Sequence, residues 1–157
     1  MLRLIEAESQ AEIAEARRLF EEYAAWVVID LCFQNFEKEL ADLPGAYARP
    51  GGCLILAIEG DEVAGCIALK DLGDRVCEMK RLFVRPHFQG RGIGRVLTEK
   101  IIAEASAIGY SSMRLDTLPS KMGKAVAVYR SLGFKEIEPY YTNPTAGTLY
   151  MELKLSD

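Results

Sequence analysis

The chain has 157 residues, half of them hydrophobic, with 19 basic and 23 acidic side chains and a net charge of −4. That length fits a single globular domain, 1–157, with a sizeable core, and the acidic balance argues against a nucleic-acid binder. The longest purely apolar run, residues 24–29, is far too short to span a membrane, and the first ten residues lack the apolar core of a signal peptide, so a cytoplasmic protein without membrane contact is expected.

In chain order, LRLIEA at 2–7 reads as a first strand. Ser9 and Glu12 have capping-box spacing ahead of an apolar stripe, Ile13, Ala16, Phe20 and Tyr23, which predicts a helix. Residues 26–34 are ambiguous between helix and irregular backbone. A second helix carries Phe33, Phe36, Leu40 and Leu43 and stops at Pro44-Gly45. Apolar runs at 53–60 and 62–71 flank Gly60-Asp61 as a hairpin, and a third strand, 75–84, follows the turn at Gly73-Asp74.

Beyond a glycine-rich loop, Ile93, Val96, Leu97, Ile101, Ala105 and Ile108 mark a long amphipathic helix closed by Gly109. A short strand at 111–117 precedes a helix opened by Pro119-Ser120, with Met122, Val126 and Tyr129 on one face and Gly133 beyond its end. Another strand starts at Phe134, and the last alternates Leu149, Met151, Leu153 and Leu155 with polar residues. This order gives an α/β fold: a mixed sheet with helices on both faces.

Four cysteines (Cys32, Cys53, Cys66, Cys77) form no CxxC pair, and His87 is the single histidine. A Cys/His zinc site is nearly excluded, no metal is expected, and the cysteines read as reduced, buried small hydrophobes. His87 reads as a surface loop residue.

Residues 79–100 hold six basic side chains (Lys80, Arg81, Arg85, Arg91, Arg95, Lys100) against one acidic one, Glu99. Such asymmetry suggests either a local anion site or a solvated basic face. Within this stretch lies RPHFQGRGIG, residues 85–94. A dinucleotide fingerprint starting at Gly92 would need glycine where Leu97 stands, and a P-loop starting at Gly90 would need lysine at Val96. What remains, Gln89-x-x-Gly92-x-Gly94 before a helix, can turn bare amides toward one anion at the positive end of the helix dipole. Generic tight turning explains such glycines equally well.

The stretch LFVRPHFQGRGIGRVL resembles the acetyl-CoA signature of the GNAT superfamily (Gcn5-related N-acetyltransferases), and AVAVYRSLGF at 125–134 resembles that superfamily's second signature. The resemblance implies a mostly antiparallel sheet, split between the fourth and fifth strands. In that split the pantetheine arm would meet the backbone of Leu82, Phe83 and Val84. The pyrophosphate would rest at Gln89 and on the amides of Gly90, Arg91, Gly92, Ile93, Gly94 and Arg95. Many members carry Asn where this chain has Met122, so Lys121 or Lys124 is the alternative phosphate contact.

The implied reaction is acetyl transfer from acetyl-CoA to a primary amine of a small molecule, amino acid or peptide. Tyr129 aligns with the acid that protonates the departing thiolate, and the Leu82 amide serves as oxyanion donor. Glu78 is the first candidate base and Asp116 the second, each alternatively a salt-bridge partner for a residue such as Arg114. Trp26, Phe33 and Phe36 form either an apolar wall for the acceptor or part of the core. A non-catalytic acyl-CoA sensor, or transfer of another acyl chain or to a hydroxyl, keeps the same cofactor. A homodimer is compatible with all of these readings.

Overall fold

A computed structural model describes residues 1–27 and 35–156. Seven strands form one sheet: β1 (Leu2–Glu6), β2 (Cys53–Glu59), β3 (Glu62–Gly73), β4 (Val76–Val84), β5 (Ser112–Thr117), β6 (Lys135–Glu136) and β7 (Leu149–Lys154), in spatial order β1-β2-β3-β4-β5-β7-β6. Only β4 and β5 run parallel, and α3 (Ile93–Ile108) makes the crossover between them. The remaining helices are α1 (Gln10–Val27), α2 (Phe36–Asp42) and α4 (Pro119–Ser131). Phe33 and Cys32 lie outside the described residues.

The local signals act as the sequence suggests. The Glu12 amide donates to Ser9 Oγ (3.1 Å) and Glu12 Oε1 accepts from the Ser9 amide (3.0 Å), which satisfies two orphan donors at the start of α1. Strand β2 is apolar without interruption because both its faces are covered. Cys53, Ile55 and Ala57 join the core under α3 and α4, whereas Leu54, Leu56 and Ile58 pack under α1. The strand read at Phe134 shrinks to the two residues of β6.

The sheet holds two irregularities that fix everything downstream. Strands β4 and β5 pair only from Val76–Glu78 to Ser112–Arg114, while β4 stays on β3 as far as Val84 and β5 stays on β7 as far as Thr117. Past Glu78 the two strands therefore part and leave a wedge in the sheet. Next to it, Arg81 and Leu82 together oppose Ile67, because Cys66 pairs with Phe83 and Ala68 with Lys80. This is a β-bulge whose first residue, Arg81, has φ 60°, a left-handed conformation that costs about 1 kcal/mol in a residue other than glycine.

Tertiary contacts hold Arg81 there. Its guanidinium donates twice to Glu39 of α2, Nε to Oε2 and Nη2 to Oε1, both at 2.8 Å, and lies over the rings of Phe36 (5.2 Å) and Tyr23 (5.9 Å). Burial alone would raise the Glu39 carboxyl, but the hydrogen bonds and charge of Arg81 outweigh it and keep the group below its ordinary 4.5.

Replacing Glu39 with Gln leaves a buried guanidinium without its counter-charge and is expected to destabilise the fold by about 3 kcal/mol, read from urea unfolding at pH 7. A depressed carboxyl stabilises fully above its unfolded value and loses that contribution as pH falls through the folded value. The wild type should thus lose stability below about pH 4.5 more steeply than E39Q. Parallel acid limbs in the two proteins would remove Arg81–Glu39 as the bulge's anchor.

Candidate active site

Strand alternation past the bulge decides which backbone groups face the wedge. The Arg85 amide donates to Ala64 of β3 (2.8 Å), and the Phe83 carbonyl lies 2.5 Å from where a Cβ on Gly65 would sit, so residues 83 and 85 address β3. Residues 82 and 84 address the wedge instead. Val84 demonstrates it, its carbonyl accepting from Gln89 Nε2 at 2.9 Å. Leu82, Phe83 and Val84 all line one cleft, but the Phe83 backbone faces β3 and its ring packs on Tyr23 and Trp26.

The glycine loop leads from β4 into α3. Gly90 (φ 83°) and Gly92 (φ 78°) are left-handed, with nothing within 4 Å of where a Cβ would be. The chain needs glycine there for its turn. Among the described residues, the amides of Gly90, Arg91, Gly92, Ile93, Gly94 and Arg95 donate to no protein acceptor. The next amide, Val96, begins the helical pattern by donating to Gly92 (3.2 Å). Consecutive free amides at a helix N-terminus form an anion cradle. They border a cleft of about 400 Å³ that runs along Leu82 and Val84 and is flanked across the wedge by Lys121, Met122 and Lys124 of α4.

The basic stretch of the sequence divides in two here. Arg95 lines the cleft and donates to Ser131 Oγ (2.9 Å), and Arg91 lies over the Phe88 ring (5.3 Å). Arg85 turns the other way, into a two-pronged pair with Glu22 (2.9 and 2.8 Å), while Arg81 meets Glu39 and Lys80 sits 3.8 Å from Glu78. The charge that borders the cleft is thus Arg95 with the α4 lysines Lys121 and Lys124. His87 lies exposed in the loop, edge-on to Phe88.

A second, smaller cavity opens beside the wedge, lined by Tyr23, Lys80, Asp116, Tyr129 and Asn143 among others. Leu82 and Met122 line both cavities, so the two meet at the bulge. Tyr129 is 2 % exposed, and its hydroxyl has no hydrogen-bond partner among the described residues. Burial, with the nearby Tyr23 and Asp116, pushes its phenol above the ordinary 10. Burial and the neighbouring Arg81 bring Lys80 down to about 8, Glu78 pulling the other way.

Glu78, the first candidate base, is not among the cavity's lining residues. Alternation puts it at the last β4–β5 pair, where Tyr140 donates to Glu78 Oε2 (2.6 Å) and Lys70 stands 3.6 Å from Oε1. Its expected alternative partner, Arg114, pairs with Glu152 (2.7 Å). Asp116 does line the cavity. Phe36 lies under Arg81 and lines neither cavity, whereas Trp26 borders the larger cleft.

The sequence reading passed over residues 137–148. That connection brings Tyr140 to Glu78, and Tyr141 and Asn143 to Asp116. Two adjacent tyrosines and an asparagine between Pro139 and Pro144 were the available signal. The buried cysteines Cys53 and Cys77 behave as expected, burial raising their thiols to about 11 and about 12. Among the described residues, Glu6, Cys53 and Glu104 could converge on a metal, but Arg49 already donates to both carboxylates.

Comparison with known proteins gives one answer. Residues 12–134 match the model of the acetyltransferase (GNAT) family. An uncharacterised N-acetyltransferase of Schizosaccharomyces pombe is 41% identical over 147 residues, 92% of this chain and 90% of that protein. A GNAT-family acetyltransferase crystal structure from Staphylococcus aureus superposes with TM-score 0.81 at 21% identity, covering 99% of this chain and 100% of that one. A putative acetyltransferase from Salmonella typhimurium, solved with its cofactor acetyl-CoA, superposes at 0.74 and 19% identity over 100% and 95% of the two chains. At these identities the two structures show the fold.

Proposed function

We propose that this chain, which belongs to the GNAT acetyltransferase family, moves the acetyl group of acetyl-CoA to a primary amine of a small molecule, amino acid or peptide by direct attack. One observation carries the reading: two cavities along the split in the sheet share Leu82 and Met122, one bearing an anion cradle and the other a carboxylate and a phenol. A donor with a diphosphate at one end and a thioester at the other matches the first cavity. An amine matches the second.

Each residue then has a task set by its position. The free amides from Gly90 to Arg95 hold the diphosphate, with Arg95, Lys121 or Lys124 adding charge at the rim. Gln89 gives up Val84 when an extended ligand arm needs that carbonyl. The Leu82 amide donates to the oxygen that becomes negative as the amine attacks. As the carbon–sulfur bond breaks, Tyr129 delivers its proton to sulfur; a phenol held above 10 keeps that proton until a thiolate forms.

Gly94 offers a test of the cradle that spares the fold. It is the second residue of α3, and a Cβ there meets only Val84 Cγ2 at 3.9 Å, an ordinary contact. Gly94→Asp should hold or raise the melting temperature, since aspartate suits a first helical turn better than glycine. CoA affinity should fall by about 100-fold or more, because a carboxylate then faces the diphosphate. Unchanged calorimetric affinity in the folded variant would sink the cradle.

Tyr129→Phe removes one hydroxyl that has no hydrogen-bond partner among the described residues. Stability and acetyl-CoA affinity should stay close to wild type while single-turnover acetyl transfer slows by ~10²-fold or more. Equal rates would reduce Tyr129 to a core aromatic.

A further inference from the structure

The proton that an acceptor amine must lose has no assigned destination in the preceding scheme. We propose that Asp116 docks the acceptor as an ammonium ion and takes its proton in place, with Tyr141 and Asn143 as the positioning residues that aim it. The proposal rests on the acetyl-transfer reading and names the residue that recognises the acceptor.

Asp116 stands near the end of β5, past the last residue paired with β4 and opposite Tyr150 of β7, and it lines the smaller cavity. Among the described residues it is the one carboxylate lining the smaller cavity. Its two hydrogen bonds converge on a single oxygen, since the Tyr141 hydroxyl and Asn143 Nδ2 (3.0 Å) both donate to Oδ2. Asn143 also donates to the Tyr141 hydroxyl (3.1 Å), and its own Oδ1 accepts from the Thr145 amide (2.8 Å), so the clamp is braced by its own loop. Among the described residues Oδ1 of Asp116 accepts nothing. A carboxylate held by one oxygen and open at the other is arranged to receive a donor from a ligand.

The surroundings leave that role to Asp116. From β4 it faces Lys80, from α1 Tyr23, from α4 Tyr129, from β7 Tyr150, and from the covering loop Tyr140 and Tyr141. Glu78, also on β4, is occupied by Tyr140 and the two lysines. The step balances. One N–H bond of the ammonium breaks and an O–H bond forms on Asp116, freeing the lone pair that attacks the thioester carbon. Tyr129 protonates the sulfur, the second proton lost by nitrogen restores the phenol, and Asp116 releases its proton to solvent.

This predicts a pH signature that a structural role lacks. When ammonium and carboxylate are the reacting forms, kcat/KM counted on total acceptor does not change with pH below the amine's pKa. Without the carboxylate only the free amine reacts, and kcat/KM rises tenfold per pH unit up to the amine's pKa. Free-thiol release from acetyl-CoA is measured from pH 6 upward with alanine, putrescine and a free-amino-terminus peptide as acceptors. Wild type should be flat. Asp116→Asn, which preserves shape and can still accept from Tyr141 and Asn143, should gain unit slope. It should also lose ~10²-fold or more at pH 7 with unchanged acetyl-CoA affinity.

Tyr141→Phe, a milder change should the first variant not fold, should keep the flat profile at about 10-fold lower kcat/KM. A unit slope already present in wild type, a flat profile in D116N, or wild-type rates in Y141F overturns the assignment while acetyl transfer stands. Absence of thiol release by wild type with every amine, despite acetyl-CoA binding, overturns the acetyl-transfer reading and this assignment with it.

Discussion

The pairing of Arg81 with Glu39 is the interaction on which the arrangement depends. A left-handed arginine in a central strand is a conformation that the chain would abandon if nothing opposed it. Glu39 supplies two hydrogen bonds and a counter-charge, and Tyr23 and Phe36 supply ring faces. The bulge so held sets the phase of alternation in β4, and that phase turns Leu82 and Val84 toward the wedge and Phe83 toward β3. One helix–strand ion pair thereby aims the backbone groups of Leu82 and Val84 into the wedge. The strain is local and the compensation comes from a different element, as is usual where geometry serves chemistry.

The two sides of the wedge divide the labour electrostatically. On the α3–α4 side the protein offers amide dipoles and a few cations around a mainly apolar cleft. On the α1–α2 side the sheet carries paired charges roofed by phenols, among them Tyr140 over Glu78, Tyr141 over Asp116 and Arg114 over the Tyr140 ring (5.4 Å). Tyr140, Tyr141 and Tyr150 pack against one another with centroids 5.4 to 5.7 Å apart. This mutual packing makes the covering loop an aromatic block rather than a string of separate contacts. Met122 lies between the two regimes, at a kink in α4 (φ −126°, ψ 38°).

Much of this was legible in the chain because it rests on local or periodic chemistry. The capping box at Ser9, the uninterrupted apolar run of β2, the glycines at 90 and 92, and the alternation of β7 each announce an element through short-range physics. What failed to show was set at long range. Nothing near Arg81 in sequence says that it turns left-handed, since its partner Glu39 is 42 residues away. The basic run looked like one surface because a linear count cannot see that Arg85 and Arg91 point to opposite faces. Glu78 looked available because its cap, Tyr140, arrives from 62 residues downstream. The hydrogen bonds that Asp116 receives are hidden in the same way, because Tyr141 and Asn143 sit in a loop with no periodic signal.

The hydrogen bond from Gln89 to Val84 also bears on how the protein keeps company with other chains. A sheet that opens in its middle exposes an unpaired strand border of the kind that recruits stray extended peptides and seeds aggregation. By capping the Val84 carbonyl with a side chain from the next loop, the molecule occupies the outer position of that border. The plug is a flexible amide and not a strand, so a ligand can displace it at little cost while a foreign backbone must first compete for it. A contact weak enough to be displaced thus also works as protection of the open strand border.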